Sequence, residues 1–345
     1  MTREHVLGEN KCLSRRSFLK IAVAGAAGLM VGCSSNSRAS ESTPPAGTPM
    51  PAHERWASST HLNITIHSAA EPDRVLTHSG NDFKPSWSPD GSRLTFFRAE
   101  RYGSDFKDWR SKICVINADG TGFRKLTTTD YPNFNPTWTR DKTNRIIFNR
   151  FSPTGDSRNQ VYWTSPDASP GDEQLVSDPD YAYYEWANSG LRDGRILVDR
   201  LDTDGQFKSF LVTPLPGKRG KYQEIERPTQ LYWHKLSLSP SETKVAYMLD
   251  NDNNIPTYND DVICYADFDI QALRIYHQVQ ITRQDPSSIQ EYPAWNRDES
   301  LLEYDSNETG TYQAYAYRLA DGVTIKLSPD KNRSDQFADF EGLPK

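Results

Sequence analysis

The chain has 345 residues, of which 36% are hydrophobic and 25% are charged, and its formal net charge is −6. Residues 1–33, interpreted below as a leader, hold five Lys/Arg and two Asp/Glu, so the remainder carries −9. An acidic body without a basic cluster argues against nucleic acid as a partner and against binding to an anionic membrane face.

The N-terminal segment has the features of an export signal. Residues 14–20 read SRRSFLK, which resembles a twin-arginine motif through Arg15 and Arg16. The apolar stretch of residues 21–32 is too short to span a bilayer, which needs about 20 residues. Residues 30–33 read MVGC and resemble a lipobox, which implies cleavage before Cys33 and its lipidation; the alternative is plain cleavage near Ala39. We therefore expect a periplasmic or cell-envelope protein, with residues 1–33 as its signal peptide.

Residues 34–59 are rich in Ser, Pro, Ala and Gly. This composition cannot bury apolar surface, so we predict a flexible linker that holds the following domain off the membrane. The domain itself is predicted to span residues 60–345.

A short pattern repeats along this domain. It is clearest at residues 85–91, which read PSWSPDG, and again at residues 136–141, which read PTWTRD. A period of roughly 50 residues is typical of repeat architectures. The aromatic or apolar centres of the six copies are Trp87, Trp138, Trp186, Leu238, Trp295 and Phe340.

Each copy is followed by short runs of β-branched and aromatic residues separated by turn residues, which indicates four antiparallel strands per copy. Such sheets, repeated around an axis, form a β-propeller that leaves few open edges. The last copy provides only the first strand of a unit. Residues 61–77 provide the last two strands of a unit whose first strands are missing from that part of the chain. We therefore predict an all-β, six-bladed β-propeller closed by a composite blade from both termini, with residues 54–58 as its missing strand.

The pattern in residues 84–127 resembles the propeller repeat of the TolB-like proteins. It combines PSWSPDG, a strand, NADGTG and RKLT. The resemblance extends over residues 61–345 and implies a six-bladed propeller with an axial channel.

Two of the four cysteines, Cys12 and Cys33, belong to the leader. Cys114 and Cys264 occupy equivalent strands of units one and four, which lie opposite each other in a six-membered ring. We therefore predict no disulfide and two buried, packing thiols.

No nucleophile elbow, phosphate loop or paired-cysteine motif is present, so no catalytic residue, metal or cofactor is predicted. Candidate ligand contacts lie where the innermost strands begin. Their polar and aromatic side chains suit a peptide or a sugar, although they could simply solvate a funnel rim. His234 could be a base or a metal ligand, or more simply a rim or packing residue. The candidates are Lys84, Asn135, Tyr183, Trp233, His234, Lys235, Glu291, Tyr292 and Asp335.

Two functions fit these features. The first is a monomeric, lipid-anchored binding module that takes an envelope protein, peptide or glycan at the channel mouth. The second is a polysaccharide-active enzyme. It would be similar to oligogalacturonate lyases, or a glycoside hydrolase that uses paired carboxylates such as Glu291 and Asp335.

Overall fold

The computed structural model describes residues 55–60, 62–68, 71–102, 109–151, 159–177, 184–201, 207–215, 218–228, 232–250, 261–283, 285, 288–328 and 334–340. These ranges contain strands but no helix, so no helical segment within them could cross a bilayer. The predicted leader and most of the predicted linker lie outside the described residues.

The strands group into units of four. The first unit has β4 (Asp82–Trp87), β5 (Arg93–Arg101), β6 (Arg110–Asn117) and β7 (Arg124–Lys125). The second has β8 (Asn133–Trp138), β9 (Ile146–Phe151), β10 (Asn159–Thr164) and β11 (Gln174–Leu175). The third has β12 (Tyr184–Gly190), β13 (Ile196–Leu201), β14 (Phe207–Leu215) and β15 (Lys218–Glu224).

The fourth unit has β16 (Tyr232–Leu238), β17 (Lys244–Asp250), β18 (Val262–Asp269) and β19 (Arg274–Gln280). The fifth has β20 (Gln290–Trp295), β21 (Leu301–Ser306), β22 (Gln313–Arg318) and β23 (Val323–Lys326). The closing unit joins β24 (Asp335–Phe340) to β1 (Arg55–Thr60), β2 (Asn63–Ser68) and β3 (Arg74–Val75).

The described strands form five sheets, not the six separate sheets that we predicted. Four sheets have four strands, and the fifth has eight because the second and third units are joined. The join is one parallel bridge between Asn159 of β10 and Tyr184 of β12. Within each unit, consecutive strands pair antiparallel, as the hairpin-length loops require.

The units are arranged around an axis in propeller fashion. The innermost strands β4, β8, β12, β16, β20 and β24 contact one another in that order, and β24 also contacts β4. Each unit packs apolar side chains against its neighbours, and the resulting core clusters bring together residues from successive units. The fold is therefore an all-β propeller.

The two ends of the described chain share a sheet, as the sequence predicted. β1 pairs antiparallel with β24, with Thr60 opposite Asp335 and Ala57 opposite Asp339. β1 includes residues 55–59, which precede the predicted domain boundary at residue 60, so the end of the predicted linker is part of a sheet. This strand overlaps residues 54–58, where we predicted the missing strand.

The repeat centre in the third unit differs from our prediction. Equivalent hairpins close through Ser88 N to Arg93 O in the first unit and through Leu191 N to Arg195 O in the third. Gly190, not Trp186, is therefore the counterpart of Trp87. A Cβ atom on Gly190 would lie 2.5 Å from the Cα atom of Thr139, so the second unit comes too close for any larger side chain.

The tryptophans at the repeat centres join neighbouring units. Trp138 of the second unit donates its indole N–H to Ser86 O of the first at 2.9 Å. Trp295 of the fifth unit donates to Ser237 O of the fourth at 3.0 Å. These residues are buried and pack in the core, as predicted. Both Cys114 and Cys264 are buried and unbridged.

Replacing Trp138 by Phe should lower the free energy of unfolding by about 1–3 kcal/mol, because Ser86 O loses a buried donor and a gap opens between units. Urea denaturation measures the change. Trp186→Phe is the matched control, since Trp186 is half-buried and stacks on Tyr184 within its own unit. Equal losses in the two variants would contradict the inter-unit role of Trp138.

Candidate functional site

The innermost strands share an unusual backbone feature. Five of them place one residue in the left-handed region, with φ between 50° and 57°, although none of the five is glycine. The β-strand pairing shifts register at each of these positions, as in a β-bulge. Such a conformation is costly for residues other than glycine and often marks a functional position. The residues are Lys84, Asn135, Lys235, Tyr292 and Phe337.

These bulges surround an axial cavity of about 140 Å³. All six innermost strands contribute to its lining, and so do the repeat-centre residues Trp87, Trp138 and Trp295. In β12 the position equivalent to Lys84 is Ala187, which also lines the cavity but is not among the residues with positive φ.

Two lysines converge on one aromatic ring in this cavity. Lys84 Nζ lies 4.7 Å from the ring centroid of Tyr292, and Lys235 Nζ lies 4.8 Å from it. The lysines come from the first and fourth units, and Tyr292 comes from the fifth. Cation–π contacts of this kind contribute about 0.5–2 kcal/mol each, depending on how far the cation is desolvated.

Both lysines are half-buried, and the surface they retain faces the narrow cavity. Burial, reinforced by the charge of Lys235, lowers the pKa of Lys84 to about 7. Burial also lowers the pKa of Lys235. The nearby carboxyls shift the other way: burial raises the pKa of Glu291 to about 8 and that of Asp339 to about 6.

A layer of side chains, four of which carry a hydroxyl group, lies next to the lysines along the axis. Its position in each strand is two residues after the bulge, and the residues there are Ser86, Thr137, Ser189, Ser237, Ala294 and Asp339. Asp339 accepts a hydrogen bond from Trp87 N at 2.8 Å, which ties the closing unit to the first.

Arg140 lies just beyond the end of β8 and lines the cavity. Its guanidinium reaches past the third unit and donates to the carbonyl oxygens of Leu238, at 2.6 Å, and of Ser239 in the fourth unit. Because burial desolvates the guanidinium, the pKa of Arg140 falls to about 10, so it stays charged at neutral pH.

Four of the nine predicted ligand contacts line the cavity, namely Lys84, Asn135, Lys235 and Tyr292. Tyr183 lies outside the described residues, and its predicted equivalence to Lys84 rested on the misplaced repeat at Trp186.

The other four predicted contacts are buried beside the cavity. Trp233 is fully buried and stacks on Tyr247 with ring centroids 4.0 Å apart, because it belongs to the core of the fourth unit. The imidazole of His234 lies 3.1 Å from a carboxylate oxygen of Asp261, and both residues are buried.

Asp335 and Glu291 are also buried. Asp335 accepts a hydrogen bond from the hydroxyl of Thr60 at 2.6 Å, which joins β24 to β1. Glu291 interacts electrostatically with Lys235 and Lys84 from behind the lining.

The two other charged residues of the lining, Arg140 and Asp339, were missed from the sequence. Each differs from the residues at the equivalent position of other units. Arg140 occupies the position of Pro89 in the first unit and Pro240 in the fourth. Asp339 occupies the position that holds Ser, Thr or Ala in the other units. Such departures from a repeat could have identified both residues.

A Ser-His-Asp chain occurs in the closing unit. Ser58 Oγ lies 2.7 Å from His67 Nε2, and His67 Nδ1 lies 2.9 Å from Asp73 Oδ1. The order resembles a nucleophile, base and acid, but Ser58 and His67 are buried inside the sheet. These side chains therefore satisfy one another's hydrogen bonds and stabilise the closing unit. Among the described residues, no group of three or more His, Cys, Asp and Glu could hold a metal ion.

No protein-family model matches the chain, and no curated protein matches its sequence. Solved structures match its fold. TolB from Acinetobacter baumannii aligns over 84% of this chain and 67% of its own, with 12% identity and a TM-score of 0.64. Hydrazine synthase from Kuenenia stuttgartiensis aligns over 85% of this chain with 14% identity and a TM-score of 0.59, and this chain spans 47% of that one.

A chain of the nidogen–laminin complex aligns over 84% of this chain and 98% of its own, with 10% identity and a TM-score of 0.55. Identities this low establish the fold alone. The prediction of a β-propeller fold is confirmed at that level.

The lowered pKa of Lys84 can be measured by competitive acetylation followed by peptide mass spectrometry. We expect half-maximal reactivity near pH 7, far below about 10.4 for an ordinary lysine. Asp339→Asn should lower this midpoint further, because the carboxylate stabilises the ammonium. Exposed Lys142 in the same sample calibrates the reagent. A Lys84 midpoint above about pH 9 would show that the ammonium is well solvated.

Proposed function

We propose that this chain is an envelope-anchored binding module that holds a protein, peptide or glycan at the mouth of its axial cavity. The observation that carries this proposal is the convergence of Lys84 and Lys235 on Tyr292 inside a cavity lined by all the innermost strands. Concave sites with a few converging polar groups are the usual form of a ligand site.

The proposal includes the interpretation that the propeller has six blades. The eight-stranded sheet divides at a single parallel bridge, and each half repeats the antiparallel order of the other sheets. Counting each half as a blade gives six blades around the axis, with the composite unit as the last. The nidogen–laminin match supports a role in protein binding, since a propeller of similar fold occurs in that protein complex.

A second candidate is a polysaccharide-active enzyme. Its support is a pair of carboxyls with separated pKa values: at neutral pH Glu291, with a pKa of about 8, is largely protonated, and Asp339, with a pKa of about 6, is largely ionised. An acid and a base of this kind are what glycoside hydrolysis requires. Asp339 replaces Asp335 in this pairing, because Asp335 is hydrogen-bonded within the closing sheet. Since Glu291 lies behind the cavity lining, the geometry favours binding.

Envelope targeting is part of the proposal. It rests on Arg15 and Arg16 as the export pair and on Cys33 as the lipidated residue of a monomeric, periplasm-facing protein. Cys33→Ala should move the protein from the membrane to the soluble fraction of cells, and changing both arginines to lysine should prevent export. Fractionation with immunoblotting measures both outcomes. Ser35→Ala is the control, and membrane retention of the Cys33→Ala protein would exclude lipidation there as the anchor.

The binding role can be tested by photo-crosslinking in intact cells, followed by identification of the crosslinked partner. Changing both Lys84 and Lys235 to Met should reduce crosslinking by about tenfold, because two charge-assisted contacts are lost. Lys326→Met is the matched control, because Lys326 is the exposed residue of the outermost strand β23. Cleavage of polygalacturonate or another glycan by purified protein, abolished by Glu291→Gln, would instead establish the enzyme.

A further inference from the structure

Within the described residues, the two cavity lysines have carboxyl groups nearby but no direct contact with one of them. No hydrogen bond or ion pair joins either ammonium to a carboxylate there, and their close contacts are with the ring of Tyr292. Desolvating an ammonium without a partner is unfavourable. The pKa of Lys84 falls to about 7 mainly because of this desolvation, even though Glu291, Asp305 and Asp339 act to raise it. A bound anion would offset the free-energy cost of desolvating both ammonium groups.

The layer beside the lysines supplies neutral donors. Thr137, Ser189 and Ser237 line the cavity, and each hydroxyl can donate one hydrogen bond. The hydroxyl of Ser86 in the same layer is already hydrogen-bonded to Asp339. A carboxylate has about four acceptor positions, which two ammoniums and two hydroxyls could fill.

The surrounding charge favours a group with a single negative charge. The Asp339 carboxylate is ionised at neutral pH, since its pKa is about 6, and it lines the same cavity. It would repel a phosphate dianion more strongly than a carboxylate.

The shape of the site favours the end of a narrow chain. The ring of Tyr292 already contacts both ammoniums, and its ring centroid lies 4.7 Å from that of Phe337 in an edge contact. The ring of Tyr292 is therefore already covered and is not available for a sugar ring to stack on. Arg140 lines the cavity beyond the end of β8, and its guanidinium is already hydrogen-bonded to two carbonyl oxygens, so the lysines are the cations left to meet the end of a chain.

From this geometry we infer that the axial cavity binds the C-terminal carboxylate of an extended peptide, with Lys84 and Lys235 contacting the carboxylate oxygens. The inference rests on the proposed binding function and specifies the chemistry of its ligand. The carboxylate enters between the two ammoniums, and the hydroxyl layer completes its hydrogen bonds.

The site predicts that binding depends on pH. Lys84 faces Lys235 on β16, Glu291 on β20, Asp305 on β21 and Asp339 on β24. As pH rises from about 6 to 9, Lys84 loses its proton while Asp339 and then Glu291 become anionic. Each change disfavours a bound carboxylate, so affinity should fall throughout this range and binding near pH 7 should take up protons.

The test uses purified protein and a pair of acetylated alanine tripeptides, one with a free C-terminal carboxylate and one with a C-terminal amide. Titration calorimetry at pH 6.5 should show the acid binding at least tenfold more tightly than the amide. Lys84→Met and Lys235→Met should each weaken the acid about tenfold, whereas Lys326→Met should leave it unchanged. Circular dichroism and thermal melting confirm that each variant is folded. In the wild type, the acid peptide should also protect Lys84 from acetylation.

Equal affinity for acid and amide, or no binding of the acid up to about 10 mM, would overturn the carboxylate site. Neither result would affect a partner captured in cells, so the proposed binding function could survive this failure. A third arm uses oligogalacturonate: binding that depends on both lysines and exceeds that of the peptide would overturn the choice of a peptide end.

Discussion

Closure of the ring between β24 and β1 is the constraint on which the cavity depends. Each innermost strand contacts the next one around the axis, and the contact of β24 with β4 completes the ring. The antiparallel pairing of Thr60 with Asp335 holds β24 against β1, and the hydrogen bond between their side chains reinforces this pairing. Closure also leaves fewer strand edges open to other chains.

The bulge repeated in the innermost strands directs side chains into the axial cavity and so forms the candidate binding site. A strand in regular extended conformation directs successive side chains to opposite faces of its sheet. A left-handed residue followed by a register shift redirects the side chain, and five strands do this at equivalent positions around one axis. The local cost is of order 1–2 kcal/mol per residue, which the packing of neighbouring units must offset.

Buried charge is treated in two ways in this molecule. Away from the axis, two buried carboxylates are paired with arginines: the Asp82 carboxylate accepts two hydrogen bonds from Arg98, at 2.6 and 2.9 Å, and Arg150 contacts Glu173 at 2.6 Å. These pairs lie within single units and satisfy groups that burial would otherwise penalise. The lysines of the axis instead face a ring of aromatic carbon and a cavity, which is the physical basis for assigning them to a ligand.

The sequence by itself determined the strand runs, the repeat, the shared sheet at the chain ends and the cavity positions of Lys84, Asn135, Lys235 and Tyr292. These follow from turn residues and alternating hydrophobicity, which are local and repeat with the units. Tertiary structure decided the rest. Only the tertiary structure shows that Gly190, not Trp186, is the centre of the third unit. It also decides which distant residues meet: His234 with Asp261, Arg140 with the fourth unit, and Lys84 with Lys235. These contacts depend on how closely separate segments approach. That distance is set by packing between segments far apart in the chain, which a repeat pattern does not encode.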